Sequence, residues 1–215
     1  EETKKEDKKE NENKENEKII SFVLGNSQVG KTSFITKYDK NTFDGKYLTT
    51  VGVDFIKKEI KLPDGKEISL SLYDTAGQER YKSISYNLIK KADGLLLMYD
   101  ITKQDSFDAI NKWIENIKDE KGDNFPLVLV GNKCDLTEER VIQKEEGQKL
   151  AEDNGFSFIE TSCKEGINIE ESINILVLKI IEKKKSDRLK EIEEGEKNSN
   201  DESKRATFGL SKNKS

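Results

Sequence analysis

Apolar residues are concentrated between about residues 19 and 182, where their spacing alternates between strand and helix periods. Residues 19–25 (IISFVLG) form a short apolar run closed by glycine, which predicts a strand, and residues 29–40 follow as a helix. Residues 51–62 (VGVDFIKKEIKL) and 66–74 (KEISLSLYD) alternate as half-buried strands do, and Pro63-Asp64-Gly65 supplies the turn between them. Residues 94–100 (GLLLMYD) and the PLVLVG run from Pro126 are continuously apolar, the pattern of strands buried on both faces. Phe107, Ile110, Trp113, Ile114 and Ile117 recur at helical spacing, residues 145–155 form a short helix, and residues 156–162 (FSFIETS) form a last strand. Ile169, Ile173, Leu176, Val177, Ile180 and Ile181 put an apolar stripe on a closing helix. This alternation predicts an α/β fold: a mostly parallel six-stranded sheet with one antiparallel edge strand and helices on both faces. In such sheets ligands sit beyond the carboxyl ends of the strands.

The flanks differ in kind. Residues 1–18 contain no apolar residue and are a Glu/Lys/Asn low-complexity segment, expected to be a disordered charged extension. From 183 to 215 only Leu189, Ile192, Ala206, Phe208 and Leu210 are apolar, which predicts a flexible tail. Together the flanks explain why the chain is 38% charged and 33% hydrophobic, with mean hydropathy −0.83. Residues 19–182 remain as one domain, long enough to bury a core without disulfides or metals.

Charge and composition exclude several classes of function. The central domain is net acidic, which argues against nucleic acid as a partner, because phosphate neutralisation needs a basic face. The chain has no histidine, so Ser-His-Asp and Cys-His catalysis and histidine-ligated metals are ruled out. Two cysteines, Cys134 and Cys163, make no disulfide framework and fit a reducing compartment, and no apolar run reaches membrane-spanning length. A cytosolic protein is expected.

Four motifs carry chemistry, each at a predicted strand end. Gly25-Asn26-Ser27-Gln28-Val29-Gly30-Lys31-Thr32 matches G-x-x-x-x-G-K-[ST] between a strand and a helix. Glycines let the backbone curl with its N–H groups facing a phosphate, and the helix adds its positive end. Lys31 would reach the β and γ phosphates, and the Thr32 hydroxyl would coordinate Mg²⁺. Asp74 ends a strand before Thr75-Ala76-Gly77-Gln78-Glu79, where its carboxylate can hold Mg²⁺ through water. Gly77 lets an N–H approach a γ-phosphate, and Gln78 could orient an attacking water. Asn132-Lys133-Cys134-Asp135 offers an aspartate, expected to be buried, that can accept two hydrogen bonds from guanine, with the Lys133 stem across the base. Thr161-Ser162-Cys163-Lys164 supplies N–H groups near the guanine O6. Cys134 and Cys163 are expected to be fillers in these loops rather than nucleophiles.

In order and spacing, GNSQVGKT, Thr50-Val51-Gly52-Val53-Asp54-Phe55, YDTAGQERY, NKCD and TSCK resemble the Ras superfamily of small GTPases, and within it the Rabs. The resemblance implies a P-loop NTPase fold and a switch between GTP-bound and GDP-bound states in vesicle traffic. By the same resemblance Ser27 to Ser33 hold the phosphates, Thr50 binds Mg²⁺ and the γ-phosphate, Phe43 packs on guanine and Tyr47 lies over the phosphates. Hydrolysis would then rest on Gln78, Lys31 and Thr50, at an intrinsic rate on the order of 10⁻⁴ to 10⁻³ s⁻¹. Effectors, an exchange factor and a GTPase-activating protein would meet a monomer at its switches. Gln28 departs from the small residue usual in Rabs; Tyr73 stands where Trp is usual and Leu88 where an aromatic is usual. Rabs end in prenylated cysteines, whereas this sequence starts without Met and ends in Ser-Lys-Asn-Lys-Ser. A cysteine-bearing end beyond it is therefore expected, giving a cytosolic protein that cycles onto an endomembrane. Two rival functions remain at this level, a nucleotide-holding module with little turnover and a P-loop kinase, the latter having no use for NKCD.

Overall fold

A computed structural model describes residues 17–45, 53–75 and 82–211, with the side chains of 53, 82–86 and 195–211 excepted. The strands are β1 (Glu17–Leu24), β2 (Val53–Lys61), β3 (Glu67–Thr75), β4 (Gly94–Asp100), β5 (Leu127–Asn132) and β6 (Ser157–Thr161). They form one sheet in the order β2-β3-β1-β4-β5-β6, parallel throughout except for the antiparallel β2–β3 pair at one edge. That pair turns where the sequence places a turn. Gly65 takes φ 82°, and Asp64 Oδ1 accepts from the Lys66 N–H at 3.0 Å.

The helices are α1 (Lys31–Lys40), α2 (Lys82–Lys91), α3 (Gln104–Lys121), α4 (Lys144–Asp153) and α5 (Ile169–Ser211). Phe34 and Ile35 of α1 and the Ile169-to-Ile181 stripe of α5 pack with Ile19, Val23, Leu96 and Val130 on one face of the sheet. Ile89 of α2, Ile110, Ile114 and Ile117 of α3 and Ala151 of α4 pack on the other, around Leu95, Leu97 and Tyr99. Because β4 and β5 are covered on both sides, they carry no polar alternation, and every residue in them is buried.

The structure extends the sequence picture in two places. Helix α2 is not evident from the sequence, because SISYNLIKK is short and has few apolar residues, Ile84, Leu88 and Ile89 with Tyr86. Helix α5 runs past Glu182 into the segment expected as a flexible tail. The Lys183–Asp187 pair at 2.6 Å bridges successive turns, and Lys184 reaches back to Asp93 at 3.1 Å and the Lys18 carbonyl at 3.3 Å. With no proline and no glycine before Gly195, nothing in the backbone stops the helix at 182. Among the described residues no helix is long and apolar enough to cross a membrane.

Candidate functional site

β1 lies between β3 and β4, so the chain leaves it at the point where the strand order reverses, and the glycine loop opens into the crevice there. Its curl depends on left-handed backbone at Gly25 (φ 139°), Gln28 (φ 67°) and Gly30 (φ 101°). A Cβ on Gly25 would lie 2.1 Å from the Met98 carbonyl oxygen, and one on Gly30 would lie 2.4 Å from Asn132 Nδ2. Neither position can carry a side chain. Gly30 then caps α1, whose first turn has no acidic residue to compete for an anion.

Lys31 is buried, its ammonium donating to the carbonyls of Gly25 and Asn26 at 2.8 Å each, across the loop. Beside it the Thr32 hydroxyl donates to Asp74 Oδ2 at 2.6 Å. Asp74 is only 3% exposed at the end of β3, and the neighbouring Thr75 hydroxyl fixes that strand end to the Val23 carbonyl at 2.7 Å. A hydroxyl and a buried carboxylate meeting beside an anion loop are a hard-cation donor set. Among the described residues no group of three His, Cys, Asp or Glu side chains could hold a metal. A hydroxyl with one carboxylate suits a cation that takes few side chains and shares oxygens of its ligand, as Mg²⁺ does.

The second half of the site is built around Asn132. Its amide donates to the Val29 carbonyl at 2.8 Å, and its oxygen accepts from Thr161 Oγ1 at 3.0 Å and Cys163 Sγ at 3.5 Å. One buried side chain thus ties the glycine loop, β5 and the loop after β6. Lys133, at φ 68°, donates to Asp100 Oδ2 at 2.5 Å and to the Gln28 carbonyl at 3.1 Å. Asp100 is fully buried and also accepts from the Thr102 N–H and hydroxyl. Asp135 is half-buried rather than buried, and its carboxylate makes no hydrogen bond with the described residues, so its acceptors remain available. Ser162 is buried and accepts from the Glu165 N–H at 3.0 Å, closing the loop, while Lys164 points to solvent.

Cys163 is buried, and burial pushes its thiol up to about 12; burial also raises Cys134, so both thiols stay protonated near neutrality. Ser27 and Gln28 are exposed on the loop, Val29 is fully buried, Ser33 is half-buried in α1, and Phe43 is 42% exposed beyond α1. Tyr47, Thr50, Gly77 and Gln78 lie outside the described residues. Two residues outside the motifs also serve the site: Asp100, which anchors Lys133, and Trp113, whose indole N–H donates to Asn26 Oδ1 at 3.2 Å. Asp100 closes β4, and that strand-end position marks it only as buried; nothing in the sequence shows its pairing with Lys133. Trp113 carried only the signal of a core stripe.

Comparison with known proteins shows the family of the chain. The family model described as the Ras family matches residues 18–182. The chain is 48% identical over 162 residues to human Ras-related protein Rab-3D, covering 75% of this chain and 74% of that protein. It is 46% identical over 162 residues to human Ras-related protein Rab-3B, with the same coverage. It is 46% identical over 156 residues to bovine Ras-related protein Rab-3C, covering 73% of this chain and 68% of that one.

Proposed function

The chain belongs to the Ras family, as a Rab small GTPase that hydrolyses GTP to GDP and phosphate in vesicle trafficking, and on that premise we propose how its residues divide the work. It binds guanine nucleotide and acts through regulators and effectors, as its family does. In our reading the N–H groups from Ser27 to Ser33 bind the phosphates, with Lys31 on the β and γ positions. Asn132 holds the base loop in place, Asp135 accepts from the guanine edge, and Lys133, Ser162, Cys163 and Lys164 complete the base site with Phe43. Tyr47, Thr50 and Gly77 would contact the phosphates, and Gln78 would orient the attacking water. Thr32, Asp74 and Thr50 would hold Mg²⁺, which would supply positive charge against the phosphates. A monomer that reaches a membrane through a prenylated C-terminus completes the proposal.

The observation that carries it is the Thr32–Asp74 contact at 2.6 Å beside the Lys31 loop, since it puts two hard oxygen donors where phosphate oxygens would share a cation. The test is GDP release with and without a chelator, for the wild type, Thr32→Asn and Asp74→Asn. The wild type should release GDP much faster once Mg²⁺ is removed. Asp74→Asn should lose roughly 10- to 100-fold in Mg²⁺ affinity, as outer-shell groups at metal sites do, and Thr32→Asn, which removes a direct ligand, at least as much. Variants that keep the wild-type Mg²⁺ dependence would contradict the assignment.

A further inference from the structure

Gln28 is a long side chain on left-handed backbone, a conformation that persists only where surroundings over-determine it. Two lysines from separate elements do so. Lys133 donates to the Gln28 carbonyl, and Lys103, ahead of α3, donates to the Gln28 side-chain oxygen, both at 3.1 Å. The two ammonium groups differ in what else they meet. The charge of Lys133 is offset by Asp100, whereas Lys103 forms no ion pair with an acidic side chain among the described residues. Lys103 is also the N-cap of the 18-residue α3, where a cation opposes the helix dipole. Asp105 in the first turn offsets part of that cost without pairing with the ammonium. Lys103 borders an open cleft of about 300 Å³ between the glycine loop and the first turn of α3, lined by Asn26, Ser27, Lys103, Gln104, Asp105 and Ser106.

We propose that Gln28 and Lys103 form a clamp at the rim of the nucleotide site, in which Gln28 aims the Lys103 ammonium toward the phosphate loop and so lengthens the stay of a guanine nucleotide. Gln28 is the positioning residue and Lys103 supplies the charge. The proposal rests on guanine nucleotide occupying that loop, and it gives the unusual glutamine a task that a small residue could not perform.

The experiment is stopped-flow release of a fluorescent GDP from the full chain, at low and high salt. The proteins are wild type, Lys103→Met, Lys103→Arg, Gln28→Leu, Gln28→Gly and the double variant Lys103→Met/Gln28→Leu. At low salt Lys103→Met should release about three- to fivefold faster, the scale of an exposed charge interaction. Lys103→Arg should stay near wild type, and Gln28→Leu should match Lys103→Met, with the double variant adding nothing further. Gln28→Gly removes both strain and amide and should also release faster; slower release would make strain the relevant property and overturn the clamp. The differences should shrink at about 1 M salt, where charge is screened within a few ångströms. Wild-type release from Lys103→Met, additive effects, or a difference indifferent to salt would likewise overturn it. A wild type that binds no GDP would remove the underlying nucleotide assignment as well, whereas one that holds GDP with Lys103→Met unchanged would remove the clamp alone.

Discussion

Asn132 and Asp100 serve the site through other residues. Asn132 spans from Val29 to Thr161 and Cys163, and Asp100 holds Lys133, which in turn holds the Gln28 carbonyl. Asn132 was legible because it opens a tetrapeptide with known chemistry. Asp100 was not, because its partner is 33 residues away and only the pairing of β4 with β5 brings them together. Burial at this scale also sets a pH limit. Burial raises both the Cys163 thiol and the Tyr38 phenol to about 12, from ordinary values of 9 and 10. Each is neutral in the fold and ionises more readily once unfolded, so the stability it contributes is complete below pH 9 and is lost as pH rises toward 12. Urea midpoints should therefore be level from pH 7 to 9 and fall above it. A midpoint that rises between pH 9 and 11 would contradict the burial of these groups.

The elements were legible where periodicity was strong. β4, β5 and the apolar stripe of α5 follow directly from their runs, and the antiparallel edge follows from Pro63-Asp64-Gly65. Helix α2 escaped because its signal is short and its C-terminal end is held from outside: Lys121 of α3 donates to the Lys90 and Ala92 carbonyls at 2.7 and 2.9 Å. Such a cap belongs to tertiary structure and leaves no mark on local sequence. The seating of α4 is equally hidden. Gly147 lets it approach so closely that an added Cβ would lie 2.3 Å from the Tyr99 hydroxyl oxygen and 2.6 Å from Phe158. Gly147→Ala should cost about 1–3 kcal/mol through overpacking. Gly155→Ala meets no atom within 4 Å, and there only the left-handed φ of 73° is strained, at roughly 1–2 kcal/mol. Urea unfolding of both would check this, with Gly147→Ala also shifting the near-ultraviolet signal of the Tyr99 neighbourhood. A Gly147→Ala variant as stable as wild type would mean that α4 sits farther from the sheet.

For the molecule as a whole, the sheet brings the glycine loop, Asp74, Asn132 and Thr161 to one end, and β2 exposes one large aromatic ring, Phe55, on that edge. Phe55 is 54% exposed and stacks on Tyr73 with ring centroids 5.1 Å apart, and Tyr73 stacks on Phe22 at 4.8 Å. Tyr73 and the half-buried Leu88 pack against the same core cluster. An exposed ring on such a support suits a partner surface, so Leu88→Asp should abolish GTP-dependent capture of effectors while leaving nucleotide affinity unchanged. Unaltered capture would move the effector surface elsewhere. These strand ends would recognise guanine through the half-buried Asp135 as the discriminating acceptor. Titration of the nucleotide-free protein with GDP and ADP in the presence of Mg²⁺ tests this recognition most directly. GDP should bind tightly, ADP should be weaker by orders of magnitude, and Asp135→Asn should shift preference toward xanthine nucleotides; similar affinities for GDP and ADP would show that the strand ends do not discriminate guanine.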